Sequence, residues 1–366
     1  MQIVCPMCNA QYAVARDNMP KKTVQTTCKK CGGTIRVEPN AGQEMILDAQ
    51  IVPASAPAAS PQREAKKSRT PARDRSESEL SLISAYPELQ NLDSDNLNLE
   101  EIFTQSKKGT YKNRQNKFKL KILNAVHGTL DRMLRGDEKV MHIGKATAYY
   151  PAEIFFGNGY LTMLYNQYAV IGTSKRLLFI NINGKVSRPT HYYFQMAYED
   201  IKKVATGFFG TSLVFHRHKG KRRFFTGMKR YLAKEFKQFI GQKLQPGQPA
   251  KPAEAGAEDL CPSCFMPLGK NLLTCPKCKV AFKRPVIAFL RSLLLPGLGD
   301  IYLGHKLLGT LELLGSLVVW AVVILSILDG TQESLIVALV LLVFYHGFDS
   351  LLTHHMAKKG YMLASK

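Results

Sequence analysis

The eight cysteines of this chain fall into two sets of four. Cys5, Cys8, Cys28 and Cys31 form the first; Cys261, Cys264, Cys275 and Cys278 form the second. Each set reads Cys-x2-Cys, a spacer, then Cys-x2-Cys, the spacing of zinc ribbons. The pattern predicts Zn2+ at two sites, and a ribbon below ~40 residues draws its fold from the metal. A four-thiolate zinc has no open position for a substrate, so neither site predicts catalysis. Thiolates must stay reduced, which predicts that both sets face the cytosol.

Charge narrows the partners. The chain carries 50 Lys and Arg against 28 Asp and Glu, a formal charge of +22. Such an excess predicts an anionic partner: lipid headgroups, an acidic protein or nucleic acid. The N-terminus MQIVCPMC enters the first cysteine pair directly, so no secretory signal is expected. Phosphate-loop, metalloprotease, nucleophile-elbow and kinase motifs do not occur, so the chain is expected not to be an enzyme.

Composition divides the chain. Residues 1–38 read as the N-terminal ribbon. Residues 39–115, rich in Pro, Ala, Ser and charge, read as a disordered linker. Within it, Ser76 to Phe103 holds seven acids and no base, with Leu80, Leu82, Leu89, Leu92, Leu97 and Leu99 interleaved. This segment reads as solvated linker or as a docking segment for a basic partner, this protein's own domain included. Residues 116–245 read as a mainly β domain. LLFININ, HYYFQMAYEDI, TSLVFHRH and KRRFFTG predict strands, and Tyr231, Leu232, Phe236 and Phe239 share one face of a closing helix. Residues 246–260 read as a second linker and 261–280 as the second ribbon.

Three stretches carry family resemblances. VCPMCNAQYAV and TCKKCGGTIRV resemble the N-terminal zinc-ribbon family of bacterial membrane and regulatory proteins. Ile171 to Phe179, Tyr198-Glu199-Asp200-Ile201 and the closing helix resemble bacterial pleckstrin-homology-like domains, which implies a scaffold for binding. Gly297, Gly299, Tyr302, Gly304 and Asp349 resemble the small two-transmembrane-helix domain family. Asp300-Ile301 departs from that family's usual step before the tyrosine.

From Ile201 to Gln245 there are twelve Lys or Arg and one acid, Glu235. Arg217, Lys219, Lys221, Arg222 and Arg223 share one predicted hairpin and read as an anion or lipid contact. Nucleic-acid backbone is the alternative, with Phe215, Phe224 and Phe225 as stacking groups or, more plainly, as core.

Leu307–Leu328 and Leu335–Leu352 are long apolar runs, and a transmembrane hairpin is expected over 306–356. The loop DGTQES has two acids and no base, while lysines and arginines flank the pair. The positive-inside rule then places both termini, and the tail 357–366, in the cytosol at a bacterial inner membrane. Residues 284–305, broken by Pro296, Gly297 and Gly299, read as an interfacial or re-entrant helix. Glu312 and Asp349 should share a depth, with His346 one turn away, as an ion site or as groups paired with Lys306, His354 or His355.

The whole reads as a multidomain chain: two zinc ribbons, a mainly β pleckstrin-like domain with a C-terminal helix, and an α-helical transmembrane hairpin. The expected function is a zinc-binding, membrane-anchored adaptor for a partner protein or anionic lipid. The alternatives are a membrane-tethered nucleic-acid-binding regulator and an oligomeric small transporter.

Overall fold

A computed structural model describes residues 76–92, 95–105, 111, 113–151, 153, 163–207, 209–244 and 257–364, with the backbone of four N-terminal strands. The chain divides into two units, Met1–Ala72 and Arg73–Lys366.

In the first unit, β1 (Gln2–Val4) pairs antiparallel with β2 (Gln11–Ala13), and β3 (Val24–Thr27) with β4 (Thr34–Val37). In sequence, Cys5-x2-Cys8 falls between β1 and β2, and Cys28-x2-Cys31 between β3 and β4. A strand therefore precedes each cysteine pair as well as following it. The four cysteines themselves lie outside the described residues.

The second unit is built on one curled antiparallel sheet. Its strands are β5 (Val140–Ala148), β6 (Gln167–Thr173), β7 (Arg176–Ile182), β8 (Pro189–Ala197), β9 (Ile201–Thr206), β10 (Leu213–Arg217) and β11 (Arg223–Thr226). Two short strands, β12 (Glu258–Leu260) and β13 (Pro267–Leu268), follow. The order is β13-β12-β8-β7-β6-β5-β11-β10-β9, so the last two extend the edge beyond β8.

Both faces of the sheet are covered, which is why β7 is buried at every position and reads as the near-continuous apolar run LLFINI, interrupted by Asn181, whose side-chain amide donates to Tyr165 O and Gln167 O. Leu177 and Phe179 point to one core, Leu178, Ile180 and Ile182 to the other. In the first core Phe179 stacks on Phe194 at 4.3 Å and on Phe225 at 5.0 Å, and Phe215 meets Phe225 edge-on. The closing helix, Arg230–Lys243, lays Leu232, Phe236 and Phe239 onto this core, as its spacing predicts. Phe224 does not join it and is 40% exposed.

The second core corrects the expected linker. Residues 76–92 and 95–105 are folded: α1 (Glu77–Ala85), a 3-10 turn (Pro87–Asn91) and α2 (Leu99–Ile102). They bury Leu82, Leu89, Leu97, Leu99 and Phe103 against α3 (Asn113–Met133), a 21-residue helix that the strand-based reading of 116–245 omits. Leu80 faces out. The acidic segment thus docks on its own domain. The second linker also ends early, since Glu258–Leu260 is strand β12. Numbering onward, the closing helix is α4.

The C-terminal part is helical: α5 (Pro285–Leu294), α6 (Leu298–Leu303), α7 (Lys306–Asp329) and α8 (Gln332–Ala357). Where one interfacial or re-entrant helix is expected over 284–305, two occur, separated at Leu295-Pro296-Gly297. The helices α7 and α8, 24 and 26 residues long, are long and apolar enough to cross a membrane. They are joined through Gly330, which takes the left-handed conformation (φ 67°).

Candidate metal centre

The second cysteine set is assembled by two knuckles with one hydrogen-bond pattern. Phe265 N–H donates to Cys261 O and Cys261 N–H to Met266 O, both at 2.9 Å. Lys279 N–H donates to Cys275 O and Cys275 N–H to Val280 O, again at 2.9 Å. Each knuckle closes on a residue in the left-handed region, Phe265 (φ 56°) and Lys279 (φ 58°). The chain thereby turns back sharply enough to aim both thiols of a pair inward.

The four sulfurs lie within 4.8 Å of one another, with Cys261 Sγ–Cys278 Sγ and Cys264 Sγ–Cys275 Sγ both at 3.6 Å. A sulfur tetrahedron around zinc, at ~2.3 Å per bond, has edges of about 3.8 Å. A disulfide needs ~2.05 Å, so all four are free thiols. Burial pushes the Cys261 thiol up. At Cys275 burial acts the same way, but N–H donation from Cys278 and Lys277 outweighs it and brings the thiol down to about 7. The donor set fits zinc: four sulfurs, closed geometry and backbone donors that stabilise thiolate.

This centre sits at a junction. Its strand β12 pairs with β8 (Asp259 opposite Phe194), Phe265 meets Tyr193 edge-on, and Arg132 lies over Phe265 at 5.2 Å. On its other side it clasps the segment after α8. Phe282 bridges to Leu363, Lys283 N–H donates to Met362 O, and Ala364 N–H donates to Ala281 O. Tyr361 takes the Leu272 N–H on its hydroxyl, which itself donates to Gly269 O.

The base of α7 and α8 is fixed to the sheet domain directly. Leu303, Leu308, Leu352 and Met356 share a core with Phe194 and Phe225. Tyr192 donates from its hydroxyl to Met356 O at 3.2 Å, and Leu308 N–H donates to the Tyr165 hydroxyl at 3.3 Å. Lys359, its side chain 3% exposed, pairs with Glu153 and donates to Asn166 Oδ1 at 2.7 Å. Burial lowers the Lys359 pKa against the pull of Glu153.

The expected pair Glu312 and Asp349 does come together, joined by Asp300, with one carboxylate oxygen of each within 4.8 Å of the others. Sequence reasoning passed over Asp300 as a departure from a family pattern; its signal was an acid inside a Gly-rich apolar turn. The expected pairing with Lys306, His354 or His355 is replaced by local partners. His305 Nδ1 lies 3.0 Å from Asp300 Oδ1, and Thr353 donates to Asp300 Oδ2 at 2.6 Å. Gly297 N–H donates to Asp349 Oδ2 at 3.1 Å, and His346 Nδ1–H donates to Leu293 O at 2.8 Å. His354 turns to Pro285 O, and His355 lies nearest Glu153.

The five cations of the β10–β11 hairpin divide. Arg217 is held by Asp200 at 2.5 Å and is nearly buried, and Arg223 lies over Phe194 at 5.2 Å. Lys219, Lys221 and Arg222 are exposed, and Lys221 lies near enough to His355, at the base of α8, to interact electrostatically. An anion contact therefore has three free cations here, and Arg217 is a structural group.

No curated protein matches the chain. Residues 1–36, which hold Cys5, Cys8, Cys28 and Cys31, match the family of zinc-ribbon domains. That match and the Cys261–Cys264–Cys275–Cys278 cluster together support zinc binding by both cysteine sets.

Proposed function

We propose that this is a zinc-binding adaptor anchored in a bacterial inner membrane. In this reading α7 and α8 form a transmembrane hairpin with both termini in the cytosol. The β5–β11 sheet with α4 is a pleckstrin-homology-like scaffold held against the membrane. The N-terminal ribbon recruits a partner protein, and Lys219, Lys221 and Arg222 face anionic headgroups. The chain carries no catalysis. The observation that supports this reading best is the joint: a closed metal centre that grips the sheet edge at β8 and the segment beyond α8 at once. A metal used in this way sets orientation rather than chemistry.

The test is photo-cross-linking in native membranes from Tyr12, in the N-terminal ribbon. A discrete protein adduct, lost in Cys5→Ser, is expected. Absence of an adduct, with retention of the intact chain on mixed-sequence DNA or RNA and a steep salt slope, would establish the nucleic-acid alternative instead. The carboxylate cluster favours the transporter alternative. Unchanged ion flux in a Glu312→Ala/Asp349→Ala double variant removes it.

A further inference from the structure

The helix α5 is ten residues long, about 15 Å at 1.5 Å per residue, so it cannot span a bilayer core of ~30 Å. Its direction is recorded by two contacts with α8. Near its start, Pro285 O faces His354 Nδ1 at 3.3 Å; near its end, Leu293 O accepts from His346 Nδ1 at 2.8 Å. Between these contacts α5 advances by eight residues while α8 runs back by eight. The helices are antiparallel, and α5 travels about 12 Å along the α8 axis away from the sheet domain. A helix lying flat in the headgroup plane would cross α8 instead.

Three further features follow that course. Val286, Leu290, Leu293 and Leu294, spaced as one helical stripe, are 44–76% exposed, while Ala288 and Ser292 on the opposite side are fully buried. Exposed apolar side chains likewise cover much of α7 and α8. The one charge inside α5, Arg291, is exposed, but its head reaches over Tyr302 of α6. Its guanidinium lies 4.5 Å from the Tyr302 ring centroid, and the Tyr302 hydroxyl accepts from Arg284 N–H, at the start of α5. The cation is thus carried back toward the base, as a snorkelling side chain is.

The break at the end of α5 has internal partners as well. Leu295 N–H donates to Arg291 O, Leu298 N–H to Leu295 O and Gly297 N–H to the Asp349 carboxylate. Pro296 has no N–H to satisfy. Non-helical backbone is tolerated at membrane depth only when enclosed and satisfied in this way. Gly297 also sits where a Cβ would be 2.2 Å from Gly309 O, so the turn is pressed against α7.

We infer that α5, the Leu295-Pro296-Gly297 turn and α6 form a re-entrant loop. It enters the leaflet on the side of the sheet domain, with the Val286–Leu290–Leu293–Leu294 stripe against acyl chains, and returns without crossing. Asp349 and His346 then complete the hydrogen bonding of a broken helix inside the bilayer. This inference rests on the membrane reading of α7 and α8.

The chain has a single tryptophan, Trp320, midway along α7. In a Trp320→Phe background, Val286→Trp, Leu290→Trp and Leu294→Trp are reconstituted into phosphatidylcholine vesicles whose acyl chains carry bromine at mid-chain. Quenching is expected to rise in that order, at least twofold from 286 to 294. Equal, shallow quenching at all three, or preferential quenching by aqueous acrylamide, overturns the loop. Trp320 in the unaltered chain separates the two claims: unquenched by mid-chain bromine, it refutes the membrane reading; quenched, it leaves the three variants to decide on the loop. In the unaltered chain, an acyl-linked diazirine should also tag 290–294. Tagging there by a water-soluble carbene alone overturns the loop without any substitution.

Discussion

The sheet domain and the four C-terminal helices are packed in opposite senses. In the sheet domain the large side chains are inside: Phe179, Phe194 and Phe225 stack at its centre, and Lys202 and Lys203 face out. In the helical part the centre is small and polar: Gly297, Gly299, Gly309, Ser292, Asp300 and Thr353. There Leu314, Leu317, Val318, Leu325 and Leu328 are exposed. The first arrangement gains stability by removing apolar surface from water. The second gains nothing from that source if its surroundings are as apolar as leucine, and relies on close backbone approach and interhelical hydrogen bonds. In the proposed membrane reading, one chain is thus folded for two solvents.

The contrast breaks first at Gly299, where an added Cβ would lie 2.4 Å from Ala288 O and from Ser292 Oγ. Gly299→Val should cost more than ~4 kcal/mol and disassemble α5–α8, measured by denaturant unfolding in micelles, while the sheet signal persists. Phe179→Ala should do the reverse. It removes about 3–5 kcal/mol from the sheet domain and leaves α5–α8 assembled.

The seam between the two parts is probed at Lys359. Lys359→Met leaves Glu153 charged, buried and unpaired, and should cost about 3–5 kcal/mol, with protease cleavage gained near the base of α8. Adding Glu153→Gln should recover much of that loss.

His142 tests the aqueous side by pH. It is half-buried against Phe236 and Phe239. Desolvation first, then the neighbouring Lys119, lower its pKa from 6.5 to about 4, against the pull of Glu235. A lowered histidine pKa means the unfolded chain takes up the proton first. The stability contributed by neutral His142 is whole above pH 6.5 and falls as pH drops toward 4, by on the order of 2–3 kcal/mol. Thermal melts of wild type and His142→Gln across that window should differ in slope; parallel curves would count against it. The smallest effect belongs to the outward face of α7, where Leu325→Ala should change helical stability in micelles by less than ~0.5 kcal/mol.

What could be read in advance was what is local. The cysteine spacing, the two apolar runs and the face of α4 are each written within a few turns of chain. Folding of 76–92 and 95–105 was harder to see, because α1 and α2 are too short to stand alone and the acids mask the leucines. Their partner α3 did carry a signal, since Leu120, Leu123, Val126 and Leu130 recur at helical intervals, but lysines dominate its first half. Strand β12 has three residues and exists only because β8 offers it an edge. Asp300 could not be placed beside Glu312 and Asp349 without knowing that α6 folds back onto α7. The roles of Asp349 and His346 as partners of broken backbone likewise depend on where α5 goes.

The contacts that seal the sheet domain from below come very late in the chain. Tyr192 waits for Met356, 164 positions on, and Asn166 for Lys359, 193 positions on. On the ribosome, therefore, the aromatic core can collapse early, but its underside stays open until both apolar helices have been made and, in the proposed reading, handed to the insertion machinery. In that reading, maturation of the sheet domain becomes a readout of successful delivery of the helices, and a chain stalled before that step would display an unfinished, sticky surface to quality control.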